Sequence, residues 1–200
     1  MDFLNEYFDG FKGVLNNFLE NEENKDGLNK AVKLLQDTKG TDRKVYLIGN
    51  GGSAAIAEHM AVDFTKCAGL KAVTISGSPM LTAFSNDYGY ETAFQKAIEF
   101  LANPEDILIA ISSSGNSANI LNACAAAKDE GMKVITFSGF DKSNPLRDFG
   151  DFNFWVDSKS YGYVEIMHNL LIHYMNDACM AGILSEELSV IEDIAVEDLK

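Results

Sequence analysis

Three stretches of the chain place reactive side chains at spacings that chemistry can use. In VYLIGNGGSAAIAEHMAVDF, residues 45–64, a glycine knot leads into a helical pattern with His59 and Asp63 four residues apart. On a helix both would lie on one face, near enough to share a metal, a hydrogen bond or a substrate. A satisfied, partly buried His beside a solvated Asp would give the same spacing. In SSSGNS, residues 112–117, Ser112, Ser113, Ser114 and Ser117 gather hydroxyls at the start of another helical pattern. Hydroxyl donors together with the free N–H groups of a helix N-terminus suit a phosphate monoester with no arginine. The bland alternative is N-capping, which needs one serine. In YGYVEIMHNLLIHYM, residues 161–175, Glu165, His168 and His173 sit on an apolar helical pattern. At about 100° per residue the two histidines point roughly 140° apart, so they cannot both face one site, and one is structural. Glu165 and His173 would be ~12 Å apart along a continuous helix. Sharing a ligand would therefore need opposed side chains, a helix starting near 165, or a neighbouring subunit.

The glycine knot GNGGS, residues 49–53, permits unusual φ and close backbone approach directly ahead of a helix N-terminus. It can be a ligand cradle or a tight strand-to-helix turn. Its spacing is neither GxGxxG nor a Walker loop, so no nucleotide cofactor is expected. The run VYLIGNGGSAAIAEHM and the run ILIAISSSGNSANILNAC share the order strand, Gly/Ser loop, helix. Ligands of an open parallel sheet sit beyond the carboxyl ends of its strands, so two such loops suggest one shared pocket.

The elements that must position these groups follow from periodicity. Residues 1–20 carry an apolar stripe at helical spacing through Phe3, Leu4, Tyr7, Phe8, Phe11, Leu15, Phe18 and Leu19, and a second helical pattern spans 26–38. KVYLIG, KAVTIS, DILIAIS and KVITFS are short β-branched runs suited to strands buried on both faces, FNFWV at 152–156 adds another, and helical patterns separate them. A long helix is expected at 161–181 and a short acidic one at 185–197. This alternation gives an α/β class with a parallel sheet.

The 200 residues fit one domain over 1–200, comprising a helical pair at 1–38, an α/β core at 39–181 and a C-terminal helix at 182–200. A formal net charge of -14 argues against a nucleic-acid partner, because phosphate-backbone affinity needs clustered Lys and Arg. No apolar run approaches the ~20 residues of a membrane span, so no membrane partner is expected. The N-terminus lacks a signal-peptide pattern, which places the expectation in the cytoplasm. Cys67, Cys124 and Cys179 have no CxxC spacing; Cys124 and Cys179 read as buried apolar filler.

With GNGGSAAIAEHMAVDF, LTAFSNDYGYETAF, ISSSGNSANILNACAAAKDEGMKVITFSG and the late E-x-x-H-x-x-x-x-H in order, residues 1–180 resemble the sugar isomerase (SIS) domain proteins. More narrowly they are similar to the sedoheptulose 7-phosphate isomerases, or phosphoheptose isomerases. The resemblance implies a doubly wound open sheet of about five parallel strands flanked by helices. It implies an N-terminal helical pair used in oligomerisation and a homotetramer with interfacial active sites. It also implies phosphate held by Ser112, Ser113, Ser114 and Ser117, with the sugar near Asn50, Gly51, Gly52, Ser53, Asn86, Asp87 and Glu165. Some members bind zinc; by position that ligand set becomes His59, Asp63, Glu165 and His173, and the catalytic residues become Asp63, Glu165 and His173. The usual Glu is here Asp63 and the usual Gln is Glu165. Where the family commonly has an arginine ahead of the late helix this chain reads YGYVE, and the basic residue after NDYGYE is Lys96.

Ketose–aldose isomerisation needs a base, an acid and stabilisation of oxyanion charge, which a carboxylate and a His can begin to supply. Asp63 is ~1.5 Å shorter than Glu. The backbone could shift to restore reach, Glu165 could take the base role, or the four residues could form an N2O2 metal centre suited to zinc. The resemblance thus implies an isomerase acting on sedoheptulose 7-phosphate for heptose and surface-polysaccharide precursors. The alternatives are an isomerase of another phosphosugar, a non-catalytic SIS-domain adaptor that binds a phosphosugar or a protein, and a sugar-phosphate-sensing domain.

Overall fold

Side chains alternate across the strands, and the alternation divides the interior into two layers. A computed structural model of the chain describes residues 2–181; the acidic helix expected at 185–197 lies outside them. Along the chain come α1 (Phe3–Glu20), α2 (Glu22–Gln36), β1 (Val45–Ile48), α3 (Gly52–Lys66), β2 (Ala72–Thr74), α4 (Ser78–Tyr88), α5 (Ala93–Leu101), β3 (Ile107–Ser112), α6 (Ala118–Asp129), β4 (Lys133–Ser138), β5 (Phe152–Trp155) and α7 (Tyr161–Ala181). Val45, Leu47, Ile107, Ile109, Ile111, Ile135 and Phe137 face α1, α2, α3 and α7. Tyr46, Ile48, Leu108, Ala110 and Val134 face α5 and α6, with α4 packed at the margin. Helices on both faces explain why the strands read as unbroken apolar runs.

The five strands are all parallel in the order β2-β1-β3-β4-β5. From β1 the chain crosses to β2 on one side, and from β3 to β4 on the other. The loops after β1 and β3 therefore part at their carboxyl ends and open a crevice at the switch point. The glycine knot and the serine loop flank that crevice.

Two expectations change in detail. KAVTIS was expected to be buried on both faces, but β2 is a three-residue edge strand with Val73 exposed. At this margin of the sheet Ala72 packs into the layer with α3, while Val73, pointing to the opposite face, is not covered. The second helix begins at Glu22 rather than 26, because Asn21 accepts from the Glu23 amide at 2.8 Å and caps it, with Glu22 and Glu23 in its first turn. Cys124 and Cys179 are buried and unbridged, their thiols pushed up to about 12 by burial.

Candidate functional site

The hydroxyls of the serine loop are not spent on capping α6, although Ser114 Oγ accepts from the Asn116 amide at 3.2 Å. Ser117 is the N-cap of α6, yet its side chain makes no capping bond to that helix. It instead accepts from Ser112 Oγ at 3.3 Å. Ser113 Oγ is buried and has no protein partner among the described residues. The backbone of the loop is pinned from below: the Gly139 amide donates to Ser113 O and the Leu146 amide to Gly115 O, at 3.0 and 3.1 Å. The result is a cavity of about 150 Å3 lined by Asn50, Ser53, Ile111, Ser112, Ser113, Ser114, Ser117, Tyr161 and Glu165. Both loops contribute to it, and among the described residues its lining includes no lysine or arginine.

Glu165 reaches this cavity from α7 over the glycine knot. A Cβ at Gly52 would lie 2.7–2.9 Å from the Glu165 carboxylate, so only glycine lets that side chain rest there without moving. Gly51 takes φ +55° at the start of α3, a left-handed geometry that glycine adopts without strain. A second, more open cleft beside it is lined by Gly52, Ala55, Ile56, His59, Glu165, Ile166 and Asn169. Glu165 is the carboxylate common to both hollows.

Further along the same cleft, α3 and α7 bring His59, Asp63 and His173 together. His59 Nε2 is 3.4 Å and His173 Nδ1 3.9 Å from Asp63 Oδ2. The two imidazole centroids are 5.3 Å apart. One ligand atom from each of the three lies within 4.8 Å of the others, a spacing compatible with a shared metal ion. Glu165 is not part of this group. Because α7 is continuous from Tyr161, Glu165 and His173 stay about two turns apart, one at the serine cavity and one at the imidazole cluster.

His168 is the structural histidine of the pair. It is fully buried, Nε2 donates to Ser138 O at 3.1 Å, and its ring meets Phe137 edge-on. Burial pushes the imidazole down to about 4, against the smaller opposing pull of the Ser138 carbonyl. It is therefore neutral at pH 7.

Asn86 and Asp87 do not line the serine cavity. They lie exposed on α4, where Asn86 Nδ2 donates to Asp87 Oδ1 at 2.9 Å. From the same NDYGYE stretch it is Tyr90 that reaches the knot, its hydroxyl donating to Asn50 Oδ1 at 2.7 Å. Tyr90, Asn119 and Tyr161 escaped the reading of the sequence. An Asn two residues past the serine loop, in a largely apolar helical pattern, was the available signal for Asn119.

The profile of the SIS domain family matches residues 6–139. A phosphoheptose isomerase of Helicobacter pylori is 39% identical over 184 residues, covering 88% of this chain and 93% of that protein. Among solved structures, a phosphoheptose isomerase from Francisella tularensis superposes with a TM-score of 0.82 at 28% identity, covering 92% of this chain and 100% of that one. The phosphoheptose isomerase of Neisseria gonorrhoeae superposes with a TM-score of 0.79 at 32% identity, covering 88% and 97%.

Proposed function

This chain belongs to the SIS domain family, and from that membership and the geometry of its crevice we propose that it is a phosphosugar isomerase converting sedoheptulose 7-phosphate to a heptose 7-phosphate. The observation that carries this reading is the serine loop. An N-cap serine that does not cap its helix, beside a buried hydroxyl with no protein partner, is best accounted for by an anionic ligand. Ser112, Ser113, Ser114 and Ser117 would hold the phosphate, and Asn50, Gly51, Gly52 and Ser53 the near part of the sugar.

The reaction removes a proton from C1 of the ketose while the C2 carbonyl oxygen is protonated, giving an enediol. Return of a proton to C2 and loss of the O1 proton then leave the aldose. We assign the carbon-to-carbon transfer to Asp63, because a C7 phosphate in the serine cavity leaves C1 and C2 at the far end of the sugar, beyond Glu165 and toward the group of His59, Asp63 and His173. Glu165, at the border of both hollows, would hold sugar hydroxyls. His173 and His59, beside Asp63, would serve the oxygens. Two imidazoles and a carboxylate also fit a zinc ion by donor chemistry and spacing. Bound there, it would supply Lewis-acid stabilisation of oxyanion charge.

The same reading makes the protein a cytoplasmic homo-oligomer, a tetramer with interfacial sites. No helix among the described residues is long and apolar enough to cross a membrane. Exposed Ile166, Leu170 and Tyr174 form a stripe on α7, and Phe3, Leu4 and Phe8 another on α1, which supports association.

The test is proton NMR of sedoheptulose 7-phosphate with purified protein in D2O, with and without chelator. Aldose product carrying solvent deuterium at C2 is the expected result, and His173→Ala should abolish it. A folded wild-type protein giving neither product nor exchange would overturn the reading in favour of a binding adaptor or another phosphosugar.

A further inference from the structure

Asn50 stands at the carboxyl end of β1, on the wall of the serine cavity, and its amide is almost fully engaged by the protein. Asn50 and Asn119 exchange reciprocal amide hydrogen bonds, Nδ2 to Oδ1 in each direction, both at 2.9 Å. The Tyr90 hydroxyl adds a third bond to Asn50 Oδ1 at 2.7 Å. A carbonyl oxygen offers two lone pairs and an amide nitrogen two hydrogens. Both acceptor positions of Asn50 are therefore used, and one N–H is left. What Asn50 can present to the cavity is a donor and nothing else.

The reciprocal pair does not by itself fix this polarity. Turning both amides over together would restore the same two bonds with nitrogen and oxygen exchanged. A phenol donates more readily than it accepts, so the Tyr90 hydroxyl selects the orientation with Asn50 oxygen toward it. Tyr90 is held for that task. It opens the 3-10 turn Tyr90–Thr92 after Gly89, whose φ of +86° reverses the chain at the end of α4. Asn122 Nδ2 grips that turn at Glu91 O at 2.9 Å, and Thr92 Oγ1 bonds Tyr88 O at 2.6 Å. Asn119 and Asn122 are one turn apart on α6, the helix whose first residues border the serines.

Resting on the proposed isomerase reading, we propose that Tyr90 is a positioning residue that locks the Asn50 amide with its free N–H toward an acceptor oxygen of the sugar phosphate. The helix that receives the phosphate thereby also sets the polarity of the group that reads the sugar.

The test uses Tyr90→Phe and Asn50→Asp in the full chain. Asn50→Asp keeps an acceptor for Tyr90 and for Asn119 but has no N–H to offer. Each variant is expected to lower kcat/KM about 5- to 10-fold or more, the range of one lost hydrogen bond to a ligand. The double variant should be no worse than Asn50→Asp alone, because Tyr90 acts only through the amide. Calorimetric titration gives a readout free of turnover: Tyr90→Phe should weaken binding of sedoheptulose 7-phosphate and leave binding of inorganic phosphate as in the wild type. Wild-type kinetics in Tyr90→Phe, additive losses in the double variant, or equal weakening of both ligands would overturn the proposal. Failure of the wild type to turn over the sugar would overturn the isomerase reading instead, and the two titrations would still decide the role of Tyr90.

Discussion

Gly52 and Glu165 show how much of the site rests on one missing methyl group. The Glu165 carboxylate occupies the space that any side chain at 52 would need. Gly52→Ala would press its Cβ on the far end of a flexible side chain, which can swing away, so the fold should tolerate it. The carboxylate would leave the border of the two hollows, and a sugar displaced at this scale loses the geometry that proton transfer needs. We expect turnover in Gly52→Ala to fall at least about 10-fold with an unchanged Tm, measured by the deuterium-exchange assay and thermal unfolding. A fall in Tm to match would mean that the glycine serves the turn and not the carboxylate. Residues close in sequence were readable here: the serine loop and the pair His59 and Asp63 each fall within a few residues of chain. The Tyr90 contact to Asn50 spans 40 positions, and only the fold brings its ends together.

Glu165, His168 and His173 of α7 meet three different fates, set by the direction in which each leaves the helix. Glu165 points to the serine cavity, His173 to Asp63, and His168 into the layer beneath β4, where Ser138 O receives it. That helical angles keep His168 and His173 apart was legible from 3.6-residue periodicity, but which of them was buried depended on the partner sheet. The burial of His168 has a consequence for stability. Its imidazole is held down to about 4 from the usual 6.5, so the unfolded chain binds a proton more readily than the folded one. Stability is unaffected by this group above the ordinary His range and is lost as pH falls from about 6.5 toward 4, to a total of about 3 kcal/mol. Urea titrations at pH 7 and pH 5 should show a drop in wild-type stability that His168→Gln, which cannot take up that proton, shows to a smaller extent. An equal drop in both would assign the acid sensitivity to other groups. The edge position of β2 was not legible, since KAVTIS has the same apolar character as the central strands and only strand order determines its exposed side.

At the scale of the whole molecule, what remains to be explained is the apolar surface. Ile166, Leu170 and Tyr174 recur every four residues along the outer side of α7, and Ile166 also lines the open cleft with His59 and Glu165. Tyr163, on the same helix, donates to Tyr7 O at 2.7 Å and anchors α1, whose Phe3, Leu4 and Phe8 face solvent. The sequence displayed the α1 stripe as an ordinary amphipathic face, because periodicity marks which side is apolar without saying whether the same chain or another copy covers it. If copies of the chain cover the α7 stripe, as the proposed oligomer requires, they also close the cleft that runs from Glu165 to His59. Leu170 itself is not among the residues lining either hollow, so changing it tests closure without touching the site. Leu170→Asp would bury a carboxylate at such an interface and should lower the mass measured by light scattering, with turnover falling in parallel. Retained mass would show that this stripe is not the contact. A lower mass with undiminished turnover would show that one chain completes its own site, leaving α7 to supply both the carboxylate and the histidine without help from a neighbour.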